Sequence, residues 1–234
     1  MSILVEERRR FSPVGAFAGA REALALVPVA LAFGIVYGML ARQAGLTVAE
    51  AGLMSGLVFA GGSQLVAIQM WTLPLPILSI ILTTLVINLR HLLMGAALYP
   101  WLSQLPRWER YVSAFFMVDE SWALAVRARA RGEQDAAFLL GSGVVLFVTW
   151  VGATLVGQVV GAIVADPAHW GLDFVSTAVF IALLVAMRQG RANLMPWLTA
   201  AVVAVAVWHF VPGKWYILLG GVAGSFLGAW QDGS

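Results

Sequence analysis

Long uncharged apolar runs separated by short polar segments dominate the chain. One run extends from about Ala23 to Ala41, and no charged residue occurs from Ala51 to Leu89. At ~1.5 Å rise per residue, the second run would form a helix of roughly 60 Å, about two thicknesses of a bilayer's hydrocarbon core. We therefore expect this run to fold back on itself, with the turn at Pro74 and Pro76.

The remaining apolar runs extend this pattern to eight predicted membrane-spanning helices, or seven if the second or the last segment is re-entrant. They are too long, and alternate too little with polar residues, for the strands of a membrane barrel. The predicted fold class is an all-α polytopic integral membrane protein with some helices broken near the membrane midplane. Residues 1–234 form a single predicted transmembrane domain, of which 1–20 are a cytoplasmic lead-in and the start of the first helix. The predicted spans are about Ala23–Ala41, Ala51–Leu73, Ile77 to about Trp101, Tyr111–Val126, much of Ala136–Ala165, Phe174–Met187, Leu194–Val211 and Trp215–Trp230.

Composition excludes several other classes of protein. Hydrophobic residues make up 61% of the chain and charged residues 11%, whereas a soluble domain carries about a quarter of charged residues. The chain has no cysteine, which excludes disulfides, thiolate metal sites and cysteine nucleophiles. We expect no metal and no cofactor, and the net charge of +2 without a basic aromatic patch indicates no nucleic-acid partner.

The positive charges predict an orientation in the bilayer, because lysine and arginine collect in cytoplasmic loops. With eight spans, both termini lie in the cytoplasm and the acidic loop Asp166–Asp173 lies outside. The predicted cytoplasmic side carries Arg8, Arg9, Arg10, Arg21, Arg127, Arg129, Arg131, Arg188 and Arg191, and the other side carries Arg42, Arg107, Arg110 and Lys214.

Three charged residues fall inside predicted spans. Arg90 lies in the third span, and Asp119 and Glu120 lie near the centre of the fourth. A charge at such a depth costs about 2.5 to 3.5 kcal/mol on insertion scales, so it persists where it faces a cavity, forms a pair or has a function. Adjacent helical residues point about 100° apart, so the two acids cannot face Arg90 equally. A purely structural ion pair is the alternative, and which acid would pair with Arg90 stays open.

A pair of adjacent glycines, Gly61 and Gly62, precedes Ser63 and Gln64 in the middle of the second predicted span. Two glycines weaken a helix and allow it to break. If the helix restarts near Ser63, its free N–H groups and positive dipole end form a site for an anion. Close packing of helices through small residues is the alternative.

Asn88, Arg90 and His91 form a third polar group in the third predicted span. Their spacing places Asn88 and His91 roughly on one helix face, with Arg90 turned away from it. His91 could carry a proton or simply bond a carbonyl group, and the sequence leaves both open.

Taken together, these three motifs resemble the AzlC family of branched-chain amino acid permeases. The resemblance rests on Ala60–Gln64, on Asn88–His91 with Gly95 one turn later, and on Asp119–Ala123. It implies a large subunit that works with a small hydrophobic AzlD-type membrane protein to export valine, leucine, isoleucine and sometimes methionine. Gly62 departs from the commoner family pattern, in which serine or alanine often stands at this position.

These residues support the hypothesis of a secondary transporter in the bacterial cytoplasmic membrane. Gly61–Gln64 and Asn88 would line a midplane site for the carboxylate and ammonium groups of the amino acid. Asp119 or Glu120 would take a proton that couples transport to the proton gradient, and Arg90 would hold the acids or the carboxylate. The His91 ring belongs to the same predicted site.

Two other classes of function remain as alternatives. One is a channel or a membrane scaffold without transport, which would tolerate the loss of both acids. The other is an intramembrane enzyme using Ser63 or His91, but the sequence contains no HExxH motif and no serine elbow. It also contains no P-loop for ATP. We therefore predict a transporter and not an enzyme.

Overall fold

The computed structural model describes residues 11–163, 181, 194–211 and 215–232, and these residues form helices and their connections. The predicted all-α class is confirmed. The predicted lead-in before residue 11, the loop Asp166–Asp173 and the sixth predicted span Phe174–Met187, apart from Ile181, lie outside the described residues. The helices are α1 (Pro13–Ala23), α2 (Val27–Gln43), α3 (Val48–Val58), α4 (Gly61–Gln69), α5 (Ile77–Asn88), α6 (Arg90–Leu102), α7 (Arg107–Phe115), α8 (Asp119–Ala130), α9 (Ala137–Ile163), α10 (Leu194–Phe210) and α11 (Trp215–Asp232).

Three helical segments of the described residues are long and apolar enough to cross a membrane. They are Pro13–Gln43, which joins α1 and α2 through a 3₁₀ turn at Leu24–Leu26, then Ile77–Leu102, and Ala137–Ile163. Shorter apolar helices accompany them, including Val48–Val58 and Leu194–Phe210. The protein is therefore a helical membrane protein that crosses the bilayer several times, as the hydropathy pattern predicts.

The chain divides into two compact units that are described separately. The first contains Met1–Gln64 and Asn88–Ala165, and the second contains Leu65–Ile87 and Asp166–Ser234. The turn expected at Pro74 and Pro76 is confirmed in the second unit, because α4 ends at Gln69 and α5 begins at Ile77.

Helix α9 is the centre of the first unit, and α1 and α2 run alongside it in the same direction. Glycines let the backbones touch directly: a Cβ atom on Gly19 would collide with the Phe138 carbonyl, and one on Gly141 with the Ala16 carbonyl. The same contact recurs about four turns further along α9, where a Cβ atom on Gly157 would collide with the Ile35 carbonyl. Small residues at such a seam allow the dispersion contacts that hold helices together in lipid.

Helix α3 packs against α9 in the opposite direction and ends halfway along it. Ser55 contacts Thr154, and Phe59, one residue beyond the end of α3, packs its ring on Phe147 near the middle of α9. The second predicted span is thus interrupted between Val58 and Gly61, directly before the two glycines.

The prediction that Tyr111–Val126 forms one continuous membrane span is wrong. The chain forms two short helices, α7 and α8, with a break at residues 116–118. Trp108 at the start of α7 packs on Phe11, and Arg131 after the end of α8 pairs with Glu22 of α1, so both ends lie on the side where the chain enters α1. Because the break lies against the middle of α9, α7 and α8 form a re-entrant hairpin.

This hairpin also corrects two positions in the predicted orientation. Trp101 at the end of α6 donates a hydrogen bond to the Gln134 carbonyl, 2.9 Å away, on the same side as Phe11 and Trp108. Arg107 and Arg110 therefore lie on the side predicted to be cytoplasmic and not on the opposite one. The correction strengthens the positive-charge bias on which the orientation was based.

In the second unit, α10 and α11 pack through a seam of small residues. A Cβ on Gly220 would lie 2.8 Å from the Ala200 carbonyl oxygen, and one on Gly224 2.9 Å from that of Pro196. This arrangement repeats the close packing of the first unit and brings no charged group into the described seam.

Candidate functional site

Two helix breaks in the first unit meet at the middle of α9. The ring of Phe59, after α3, lies 5.0 Å from the ring of Phe147, and the ring of Phe116, after α7, lies 5.2 Å from it. Both pairs are edge-to-face, the favourable geometry for aromatic rings. One aromatic side chain of α9 therefore supports the ends of two half-helices that enter from opposite sides.

The first break depends on an unusual backbone conformation. Phe59 has φ +42° and ψ +47°, in the left-handed region that a bulky residue adopts only when its surroundings impose it. Gly61 then begins α4 against the indole of Trp150, where a Cβ would lie 2.8 Å from Cη2. The hydroxyl of Ser63 donates to the Ala60 carbonyl at 2.9 Å, which ties the first turn of α4 to the break.

A closed set of hydrogen bonds fixes this break to α9. The Trp150 indole donates to Gln64 Oε1 at 3.1 Å, and Gln64 Nε2 donates to Ser55 Oγ at 3.1 Å. Ser55 lies 2.8 Å from Thr154 Oγ1, which in turn donates to the Trp150 carbonyl at 2.9 Å. Tyr37 of α2 stacks on the other side of Trp150, with centroids 5.9 Å apart. We call Ser55, Gln64, Trp150 and Thr154 the polar ring; its members satisfy one another in an apolar interior.

The second break is held together by Ser121. Its hydroxyl accepts a hydrogen bond from the Val118 amide at 2.9 Å and lies 3.1 Å from the Val118 carbonyl and 3.2 Å from that of Phe116. Asp119 and Glu120 occupy the first turn of α8. The positive end of the helix dipole favours carboxylates at this position.

Arg90 joins the two breaks. Its Nη1 atom lies 2.7 Å from Asp119 Oδ2, and its Nη2 atom lies 3.3 Å from where a Cβ on Gly62 would be. Asp119, and not Glu120, is therefore the acid that pairs with Arg90. The side chains of Arg90 and Asp119 remain 34% and 48% exposed, and Glu120 is also exposed.

Asn88, at the end of α5, and His91, in the first turn of α6, are close to Arg90 in the sequence. The His91 ring nitrogen Nδ1 is 3.2 Å from the Asn88 backbone carbonyl. The Asn88 side-chain oxygen is buried and has no hydrogen-bond partner among the described residues. The Asn88 side-chain oxygen is therefore able to accept a hydrogen bond from a ligand.

The structure brings most of the predicted site residues together, but in two roles. Gly62, Arg90 and Asp119 form one contiguous group with an accessible surface, whereas the side chains of Ser63 and Gln64 are 1% and 0% exposed and are occupied by bonds within the fold. Sequence reasoning missed the supporting residues, although serine and threonine within apolar helices are a usable signal. The missed residues are Ser55, Phe59, Phe116, Phe147, Trp150 and Thr154.

The group of Arg90, Asp119 and Glu120 carries a formal charge of one negative unit at mid-depth of α9, beside the start of α4. Gly61 and Gly62 offer the first backbone N–H groups of α4, which have no carbonyl partner within their own helix. The arrangement combines an anion-binding helix start, a guanidinium and two carboxylates. Such a set suits a small zwitterion together with a proton.

Comparison with known proteins places this chain among membrane transport proteins. The sequence profile described as AzlC protein matches residues 25–164. An uncharacterized membrane protein of Archaeoglobus fulgidus is 31% identical over 89% of this chain and 90% of its own length. No solved structure matches.

Two further relatives have more informative names. The branched-chain amino acid transport protein AzlC of Bacillus subtilis is 26% identical over 80% of this chain and 74% of its own. The inner membrane protein YgaZ of Escherichia coli is 28% identical over 77% of this chain and 74% of its own. Both matches cover most of each protein.

Proposed function

This chain belongs to the AzlC family, and we propose that it is the large subunit of a secondary exporter of branched-chain amino acids, driven by the proton gradient. The name of the Bacillus subtilis relative supports the substrate class. The name of the Escherichia coli relative supports location in the bacterial cytoplasmic membrane.

One observation carries the proposal: an accessible ion pair, Arg90 with Asp119, lies at mid-depth where two broken helices meet. A pair that served only to fix helix packing would need no helix breaks around it. Broken helices at the midplane are the common way in which transporters expose backbone groups to a substrate.

Some of the site residues contact the substrate, and others hold these contacting residues in place. The amides of Gly61 and Gly62 and the guanidinium of Arg90 receive the carboxylate, and the Asn88 carboxamide receives the ammonium group. The side chains of Ser63 and Gln64 act through the position of α4.

Asp119 or Glu120 takes the proton in this proposal, because these two carboxylates lie at mid-depth beside the start of α4. His91, bonded to the Asn88 carbonyl, keeps that turn in place. The side of the membrane where α1 begins, which carries Arg21, Arg107, Arg110 and the arginines after α8, is the cytoplasmic side in this proposal. The partner is a small hydrophobic AzlD-type membrane subunit.

The test is efflux of labelled leucine from loaded cells that express the chain with and without the small subunit. We expect efflux to require both proteins and to fall about tenfold or more in Asp119→Asn and Asn88→Ala, equivalent to about 1.4 kcal/mol at the site. Gln104→Ala, an exposed residue between α6 and α7, is the matched control and retains efflux. Leucine efflux that is the same in cells without the chain, or undiminished in both variants, contradicts the proposal.

A further inference from the structure

The re-entrant hairpin of α7 and α8 is fastened by polar contacts at its outer end. At its entrance, Arg110 Nη2 donates to the carbonyls of Ser103 and Leu105 at 3.0 and 3.1 Å. At its exit, Arg131 Nη2 donates to both carboxylate oxygens of Glu22, at 2.6 and 2.9 Å. These contacts hold the outer end of the hairpin in place.

Helix α7 itself is packed weakly along its length. Ser113 is its one buried residue, whereas Tyr111 is 70% exposed and Phe115 45% exposed. Helix α8 buries a more extensive face through Leu124 and Ala125. A segment with few buried apolar contacts opens at a lower free-energy cost than the core around it.

The inner end of the hairpin is held by two kinds of contact. Phe116 packs on Phe147 and its carbonyl lies against Gly143 of α9, while Asp119 pairs with Arg90 of α6. Only the second contact depends on charge. Protonation of Asp119 would remove it and leave the aromatic contact unchanged.

We infer that the inner end of the α7–α8 hairpin is a gate on the side where α1 begins, and that it opens when Asp119, which pairs with Arg90 in the closed state, takes up a proton from water. This inference rests on the proposed transport function and assigns the moving part and the proton-binding acid. The charged groups at Asp119 are Arg90 from α6 and Glu120 from α8 itself, and the titratable ring of His91 on α6 contacts the Asn88 carbonyl. The neighbouring residues of α9 and α4, Gly143, Phe147 and Gly62, do not titrate.

Opening and substrate binding are coupled through Arg90 in this arrangement. While Asp119 is charged, Arg90 is neutralised by it and the gate is closed. When Asp119 is protonated, the guanidinium is left without its carboxylate and binds the carboxylate of the amino acid instead. Because the amino acid is a zwitterion without net charge, its binding leaves the net charge of the proton-bound site unchanged.

The absence of native cysteine allows a direct test with a single introduced thiol. Ser113→Cys places a thiol of similar shape at the one buried position of α7, where the Ser113 hydroxyl has no hydrogen-bond partner among the described residues. The rate of labelling by a water-soluble maleimide is measured on the purified full chain with the wild-type Asp119 and with Asp119→Asn. Keeping one pH for all samples removes the effect of pH on the thiol itself.

Two matched controls accompany this measurement. Ser142→Cys introduces a thiol at a fully buried serine of α9, outside the hairpin, and reports any general loss of structure caused by Asp119→Asn. Glu120→Gln removes the neighbouring carboxylate, which is outside the ion pair. Comparing Glu120→Gln with Asp119→Asn therefore distinguishes the effect of losing the ion pair from the effect of losing a negative charge.

We expect Asp119→Asn to speed labelling of Ser113→Cys about tenfold or more, with Ser142→Cys protected and with Glu120→Gln without effect. Unchanged labelling at Ser113→Cys overturns the inference. Equal acceleration at Ser142→Cys, or acceleration by Glu120→Gln as well, also overturns it. The assay contains no amino acid, so a failure of leucine export would contradict the proposed function and leave the result on the gate standing.

Discussion

The seam between α9 and the α1–α2 segment and the two helix breaks beside it solve the same packing problem differently. In the seam, glycines place backbone on backbone: Gly19 against Phe138, and Gly141 against Ala16. At the breaks, side chains carry the contacts, through Phe147, the polar ring and the Arg90–Asp119 pair. Both regions belong to the first unit and share the helix α9.

This difference distinguishes the seam, which serves as a scaffold, from the helix breaks, which form the candidate site. Backbone contacts cannot be adjusted without moving a whole helix, so the seam tolerates almost no change in volume. Side-chain contacts, by contrast, can be exchanged for contacts to a ligand or a proton. A transport protein needs both, and here one helix supplies them on different faces.

The largest effect is expected in the seam. Gly141→Leu forces a side chain into the Ala16 carbonyl, where the obstacle is backbone, and we expect a loss of more than about 3 kcal/mol and little folded protein. Fluorescence-detected size exclusion in detergent measures the folded fraction. Gly152→Leu lies on the same helix with no heavy atom within 4 Å, so it should retain a monodisperse peak. Equal behaviour of the two variants would remove the distinction between seam and open face.

A smaller effect is expected in the polar ring. Gln64→Ala leaves the Trp150 indole and Ser55 without their partners and opens a cavity, and we expect a loss of about 2 kcal/mol in stability. Thermal unfolding of the purified protein measures it. Gln104→Ala, whose amide bonds the Pro100 carbonyl at an exposed site, should unfold within about 0.5 kcal/mol of the wild type. A Gln64→Ala protein as stable as this control would show that the polar ring does not hold the break.

The break after α3 was predicted from the local sequence, whereas the break between α7 and α8 was not. Two glycines weaken a helix wherever they occur, so a break near Gly61 followed from the sequence. The run from Tyr111 to Val126 is apolar enough to mimic one span, and residues 116–118 contain neither glycine nor proline. The adjacent acids Asp119 and Glu120 were the overlooked signal, because paired acids are typical of the first turn of a helix.

The assembly of the site depended on contacts distant in the sequence. Arg90, Asp119 and Glu120 were recognised from their depth, since charge in an apolar run is costly. Identifying the acid that pairs with Arg90 required knowing the direction in which α8 starts. No local pattern indicates that Phe147 supports Phe59 and Phe116, because that contact depends on how three helices pack.

The smallest effects distinguish the two glycines of the break. Gly61→Ala brings a methyl group to within 2.8 Å of the Trp150 ring, which the polar ring holds in place, and we expect a loss of about 1 kcal/mol. Gly62→Ala meets only the end of the Arg90 side chain, at 3.3 Å, and that flexible guanidinium is able to move by a few tenths of an ångström.

We therefore expect Gly62→Ala to change stability by less than about 0.5 kcal/mol while shifting the apparent affinity for leucine, because the guanidinium moves relative to the start of α4. Thermal unfolding combined with the concentration dependence of leucine efflux measures both quantities. A Gly62→Ala protein that is destabilised as much as Gly61→Ala, with unaltered affinity, would assign Gly62 to the scaffold and not to the site.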